Sequence, residues 1–339
     1  MEAEAFLITS QANVRYLTGF SGSNGQLIVT ADGGIFLTDG RYVEQSRHEV
    51  PDIRRSFYSG SFSPAFRTAC QELGAGRVAF ESGHLTYQAY LDLSGTGVSL
   101  VPASGEVERL RLVKDEEERK CLDAAQAIAD EAFEAITALL AEGMTERQAA
   151  LALDVELQRR DADGLSFDTI LAFGENAAEP HHRPTDRPLR RGDLVKMDFG
   201  CVVKGYHSDM TRTVALGEPP ASMKDVYEVV RRAQEAGVQA VRPGVSGDEA
   251  DRAARSVIEE AGFGEGFRHG LGHGVGLEIH EGPSLRRGGN DRLPEGTVVT
   301  VEPGVYLEGV GGVRIEDMVE VTALGPRVIP SVSKQLIVL

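Results

Sequence analysis

Cysteine is scarce in this chain of 339 residues: Cys70, Cys121 and Cys201 stand far apart, with no C-x-x-C pair. That excludes a disulfide framework and a thiolate metal site. Basic residues are outnumbered, 35 Lys and Arg against 52 Asp and Glu, for a formal charge of −17 and a pI near 5.0. A surface so acidic repels phosphate backbones and argues against nucleic acid as a partner. No window approaches the ~18 uncharged apolar residues of a membrane span, so no membrane partner is expected. The first ten residues, MEAEAFLITS, place acids where a secretory signal carries bases, which leaves the cytoplasm as the default compartment. What is present is the balance of a globular protein, 41% hydrophobic and 26% charged, long enough for two domains.

Residues 1–110 read as a small α/β unit. Leu27–Thr30 and Ile35–Thr38 flank a Gly-containing turn, a hairpin signal. Val78–Phe80 and Ser99–Val101 are further strand candidates, with helical spacing over Pro64–Leu73 and Leu85–Leu93. A charged stretch, Arg109–Arg119, then leads into a long amphipathic pattern, and the boundary is placed so that a second domain spans 111–339. Its helices are expected at 115–141, with Asp115 and Glu118 as a capping pair and Gly143 as a stop, and at 145–160, opened by Thr145 and Gln148. A hairpin from Asp193 to Leu216, turning at Lys204-Gly205, follows. The order then recurs: helices 223–241 (opened by Ser222 and Asp225) and 247–261 (opened by Ser246 and Glu249), then strand-rich sequence over 297–323. Two copies of helix-helix-hairpin predict a pseudo-symmetric α+β domain with its cleft between the copies.

Acids occupy both hairpins. Turning the first at Lys204-Gly205 sets residue 198 opposite 211 and residue 209 opposite 200, so Asp198 and Asp209 share one face. Like charges at that distance raise a pKa unless a cation sits between them. Glu302 and Glu316 flank residue 309, inside the turn Glu308–Gly312, and a regular hairpin folded there sets them nearly opposite each other. Singly, each acid reads as an exposed strand residue; the repeated same-face geometry points instead to two divalent cations able to activate water. Between the hairpins, His269–Glu281 is too irregular in its glycines for a dinucleotide loop and lacks the second histidine of H-E-x-x-H. Its glycines let the backbone pass close to a site while His273 points in, and an imidazole among carboxylates suits Zn, Mn, Co or Fe. Pro180–Pro184 is a loop with two further imidazoles, which alone reads equally well as plain surface.

Across essentially its whole length the sequence resembles the pita-bread metallopeptidases of the Xaa-Pro branch, prolidase and aminopeptidase P. The matching strings are Met197–Gly200, Ser208–Thr213, Gly272–Leu277, His280-Glu281, Glu302–Gly304 and Gly312–Asp317, in order. The front part resembles the creatinase-type α/β domain of that branch through Thr38–Tyr42. The resemblance implies a pita-bread catalytic domain in which Asp198, Asp209, His273, Glu302 and Glu316 hold two metals, Asp209 and Glu316 bridging. Manganese is the usual ion of the branch, with Co or Zn able to replace it. His181 matches the Pro-His string before the ligands, and His280 the second substrate-facing histidine. Phe173 departs from the commoner pattern by replacing a small polar residue, Glu179 by replacing an apolar one, and His207 by standing where a small residue is typical.

The implied reaction is hydrolysis of the bond before proline, with Glu302 carrying the proton and His181 and His280 stabilising the developing charge. Arg314 reads either as a positive group for the substrate or as a partner of the carboxylates. A dipeptide ends in a carboxylate just past proline, which Arg41 could meet, from its own chain or from the second subunit of a homodimer; equally, Arg41 could hold its own domain together. Xaa-Pro dipeptides are the expected substrates, partly because the N-terminal unit is short and leaves no obvious exosite. Longer Xaa-Pro peptides, a methionine aminopeptidase and a non-catalytic peptide-binding module are the alternatives.

Overall fold

Apolar residues on both sides of a tight turn build the first sheet. In the computed structural model, which describes residues 3–339, strands Gly25–Thr30 and Gly33–Asp39 pair with Leu27 opposite Phe36, leaving Ala31 and Asp32 as the loop. Gly33 closes it at φ 150°, a backbone conformation suited to glycine. The hairpin belongs to a six-stranded sheet in the order Arg54–Tyr58, Gly33–Asp39, Gly25–Thr30, Ala5–Ile8, Arg77–Glu81, Ser99–Ala103. Helices Phe62–Glu72 and Tyr87–Ser94 lie where the apolar spacing predicts them, and Phe66 and Cys70 of the former pack with Leu7, Ile28 and Val78. The strand Ala5–Ile8 escapes the pattern because Leu7 and Ile8 are both buried, which removes the alternation. These elements form one compact unit, Met1–Arg111; Leu112–Leu339 forms the other.

In the second unit, helix caps follow from the sequence. Asp115 with Glu118, Thr145 with Gln148 and Ser246 with Glu249 form reciprocal capping boxes that open helices Glu116–Leu139, Glu146–Gln158 and Gly247–Glu260. Each such cap is worth about 1 kcal/mol. The remaining long helix differs from expectation. It spans Ala221–Ala240 from an N-cap at Pro220, without a side-chain cap, so Ser222 and Asp225 lie inside its first turns. Proline there stops the chain from continuing backward as helix, which is sufficient to set the start.

Each helix pair precedes a sheet. The first pair is followed by strands Ile170–Phe173, Leu194–Phe199 and Met210–Ala215, with Leu194–Phe199 central. After the second pair come five strands in the order Glu281–Leu285, Gly272–Gly274, Val298–Val301, Asp317–Thr322, Gly325–Val328, and a separate ribbon of Gly304–Leu307 with Gly311–Arg314. Helix-helix-hairpin thus occurs twice, in an α+β unit with two main cores. One gathers Phe133, Leu153, Met197 and Phe199; the other Val230, Ala254, Leu271, Val301 and Val319.

Candidate metal centre

Asp209, Glu302 and Glu316 sit where the ribbons change sheets, and Asp198 lies near the end of strand Leu194–Phe199. In the first hairpin Asp198 lies opposite Thr211 and Val202 opposite His207, one continuous register about the Lys204-Gly205 turn. Yet the pairing is interrupted at Gly200 and at Ser208-Asp209. A side chain on Gly200 would place its Cβ 1.9 Å from the Ser208 carbonyl oxygen. Ser208 is fixed in turn: the Ser166 hydroxyl donates to its carbonyl at 2.8 Å and Cys201 N–H donates to its Oγ at 2.9 Å. The second hairpin does the same. Val301 faces Asp317 and Gly304 faces Arg314, again one register, interrupted at Glu302-Pro303 and Ile315-Glu316. At such breaks the backbone leaves one sheet for another, and side chains are released into the space between.

The two ribbons join through backbone and side chain. Glu316 N–H donates to Thr211 O at 3.1 Å, and Arg212 Nη1 donates to Glu316 O at 2.5 Å. His273 arrives on the short strand Gly272–Gly274, where the register shifts beside it; its N–H donates to Thr300 Oγ1 at 3.0 Å. Ligand atoms of Asp209, His273 and Glu316 lie within 4.8 Å of one another. His273 Nε2 stands 3.6 Å from Asp209 Oδ2 and 3.5 Å from Glu302 Oε1. Those separations are long for hydrogen bonds and suit donors that share an ion.

Arg314 compensates only part of the charge in this cluster. Burial, then the neighbouring Glu316, Asp198 and Glu302, pushes the Asp209 carboxyl well above its usual range. Burial and the Glu302 charge do the same to Glu316. Burial also carries Glu302 up to about 7, against the opposing pull of Arg314. Asp198 Oδ1 is buried with no hydrogen-bond partner among the described residues. Burial drives the His273 imidazole down to about 4, and its Nδ1 faces Gly274 O at 2.9 Å. Donation from Nδ1–H leaves the Nε2 lone pair aimed at the acids. An orphaned carboxylate oxygen, a neutral imidazole and carboxyls whose charge needs balancing fit a divalent metal.

A surrounding layer fixes these groups. Arg314 is 2% exposed and donates to Thr211 Oγ1 at 2.9 Å, Tyr306 Oη at 2.7 Å and Pro180 O at 3.2 Å, and also to Asp198 Oδ2. Its guanidinium is therefore a partner of the ligand Asp198, and the residue also lines the pocket. Thr211 Oγ1 donates to Glu316 Oε2 at 2.6 Å, and Thr300 Oγ1 to Glu302 Oε1 at 3.3 Å. Lys114, fully buried, pairs with Glu281 at 3.1 Å, and Glu281 Oε1 accepts from Glu278 N–H at 3.0 Å, bracing the segment that carries His280.

These groups open into a pocket of about 850 Å³ within the second unit. His181 and His280 both line it, and the His280 ring stands edge-on to His273 with centroids 4.4 Å apart. Arg41 belongs to the first unit, where its Nε and Nη2 grip Asp39 at 3.0 and 2.8 Å, so its fork is occupied there. His269 is a pocket residue that sequence reasoning passed over. Its Nδ1 faces Gly270 O at 2.8 Å and its Nε2 faces Tyr306 Oη at 3.0 Å, and burial with the Arg314 charge lowers it to about 4. No local pattern marks it, since the chain bends at residue 269 before strand Gly272–Gly274 begins.

Residues 120–323 match metallopeptidase family M24, and residues 2–113 match the creatinase/prolidase N-terminal domain. A Bacillus subtilis protein named uncharacterized peptidase YqhT is 42% identical over 338 residues, 99% of this chain and 96% of that one. Among solved structures, an Xaa-Pro dipeptidase from Bacillus anthracis superposes with a TM-score of 0.97 at 39% identity, covering 99% of this chain and 95% of the other. An X-Pro aminopeptidase from Thermotoga maritima gives a TM-score of 0.93 at 34% identity, over 100% and 98%.

Proposed function

The chain belongs to metallopeptidase family M24, a pita-bread catalytic domain behind a creatinase/prolidase N-terminal domain, and on that basis we propose that it hydrolyses the bond between an N-terminal residue and proline, with dipeptides preferred. The observation that carries this reading is the convergence of Asp198, Asp209, His273, Glu302 and Glu316 on one pocket floor, with Asp198 Oδ1 left without a protein partner. Those five side chains would hold two divalent ions, manganese for preference, with cobalt or zinc as substitutes. Bound there, such ions supply an acidified water and a Lewis acid for the scissile carbonyl.

The chain's own groups do the rest. Glu302, partly open to the pocket, takes a proton and delivers it to the proline nitrogen as that nitrogen leaves. His181 and His280 donate hydrogen bonds to the carbonyl oxygen as it gains charge. Arg183 and Arg286, exposed residues on the pocket lining, are candidates to meet a terminal carboxylate. A second reading, cleavage of longer Xaa-Pro peptides, is favoured by the pocket volume of about 850 Å³, more than a dipeptide occupies.

Hydrolysis of Ala-Pro against an Ala-Pro-containing tripeptide, with and without Mn, Co or Zn, tests both. Faster turnover of the dipeptide with metal supports the dipeptidase; preference for the tripeptide supports the second reading; no turnover with any metal removes both. A homodimer in the cytoplasm is the accompanying proposal, which sedimentation and fractionation check. Among the described residues, no helix is long and apolar enough to cross a membrane.

A further inference from the structure

The metal chemistry leaves two features of the chain unused: Glu179, which faces the ring of His182, and a lysine inside the apolar strand Leu194–Phe199. Both belong to the surroundings of the loop that carries His181. On the helix side of that loop stands Glu146, the first residue of helix Glu146–Gln158 and fully buried. Its Oε1 accepts from Phe173 N–H at 2.9 Å and Asn176 Nδ2 at 3.0 Å. Its Oε2 accepts from Thr185 N–H at 2.9 Å and Thr185 Oγ1 at 2.5 Å, and faces His182 Nε2 at 2.9 Å. The other ring nitrogen of His182 faces Glu179 Oε2 at 2.6 Å. The His182 ring is thus gripped at both nitrogens.

On the sheet side stands Lys196, fully buried. Its Nζ donates to three carbonyl oxygens of the same loop: Ala177 at 3.2 Å, Glu179 at 2.5 Å and Pro180 at 3.3 Å. Arg314 Nη1 reaches the Pro180 oxygen as well, at 3.2 Å. His181 therefore lies between two immobilised neighbours, Pro180 held through its carbonyl and His182 held through its ring. Folding alone does not ask for this. Burial pushes the Lys196 amine down to about 6, and leucine or valine would complete the apolar strand without burying a polar group. What a buried amino group does and an alkyl group cannot is donate to the carbonyls of this loop.

We propose that Glu146, His182 and Lys196 are positioning residues that set where the His181 imidazole stands in the pocket. The inference rests on the reading of His181 as the group that stabilises charge on the scissile carbonyl. Displacing such a group by about 1 Å costs up to ~100-fold in rate.

The test is a double-mutant series on the full-length, manganese-loaded protein with Ala-Pro as substrate. His181→Ala is expected to lower kcat by ~100-fold. Glu146→Gln and Lys196→Met are expected to lower kcat by ~10-fold or more, with KM and bound metal unchanged. In the His181→Ala background the same two changes should have no further effect on kcat. Losses that simply multiply in the double variants mean a structural role and overturn the proposal while leaving His181 in place. An unaltered kcat in His181→Ala itself overturns the reading of His181 and the positioning with it. Should the buried variants fail to fold, Glu179→Gln keeps the test alive, since that side chain is 68% exposed. A several-fold fall in kcat only when His181 is present supports the proposal. No change, or an equal change in both backgrounds, overturns it.

Discussion

Thr211 is fully buried, and its one hydroxyl serves two groups of the metal centre. It donates to Glu316 Oε2 at 2.6 Å and accepts from Arg314 Nε at 2.9 Å, so it orients a ligand and the cation that holds another. Thr211→Val keeps the shape and removes both bonds. We expect metal affinity to fall by ~10–100-fold, measured by competition with a chelating dye, with little change in the fold. His269 gives a pH prediction. Burial lowers its pKa in the folded chain to about 4, from an ordinary value of 6.5. Below pH 6.5 the unfolded chain takes the proton first, so the stability contributed by the neutral imidazole is present above that pH and lost as pH falls toward 4. The full loss is about 3 kcal/mol. Urea midpoints in chelator at pH 7 and pH 5 should differ more for the natural chain than for His269→Asn; equal differences would show that another group governs the window.

At the level of elements, the broken ribbons decide what the sequence could reveal. Both hairpin registers were legible, because a Lys-Gly turn and a Gly-rich turn name their own centres and alternation does the rest. The capping boxes were legible for a similar reason, each being a local pair three residues apart. The interruptions at Gly200 and at Glu302-Pro303 were not, since they arise from the meeting of two sheets. Lys196 was hidden too: a lone lysine in an apolar strand gives no hint of the three carbonyls that surround it. Gly200 tests the geometry of the break. Replacing it by alanine drives a methyl group into the Ser208 carbonyl, one residue from Asp209. We expect about 1–3 kcal/mol of destabilisation and loss of bound metal, read by thermal melting and elemental analysis. Unchanged metal content would mean that the ribbon yields without disturbing the ligands.

For the molecule as a whole, the acid cluster makes metal binding a term in stability. Any ion that binds the folded chain alone adds about 2.7 kcal/mol at a hundredfold excess over its Kd. For a unit of this size that raises Tm by about 5–10 °C. Manganese should therefore raise Tm, and Asp209→Asn should abolish the increase; a rise preserved in that variant would place the binding elsewhere. At this scale the helix-helix-hairpin repeat was readable from pattern, whereas the surrounding layer of Thr211, Thr300, Tyr306 and Glu146 was not. Thr211 reaches Glu316, Thr300 reaches His273, Tyr306 reaches His269 and Glu146 reaches His182, all distant in the chain, and no local rule links them.

The continuous numbering of each ribbon through its own interruption also determines which changes of length this chain can inherit. Insertions at the tips, between Val203 and Tyr206 or between Leu307 and Gly311, lie outside the paired positions and leave the acids facing each other. One residue gained or lost lower down, between Asp198 and Val202 or between Glu302 and Gly304, turns an acid to the opposite face of its strand. Drift in loop length is therefore free at two small windows and forbidden a few residues away.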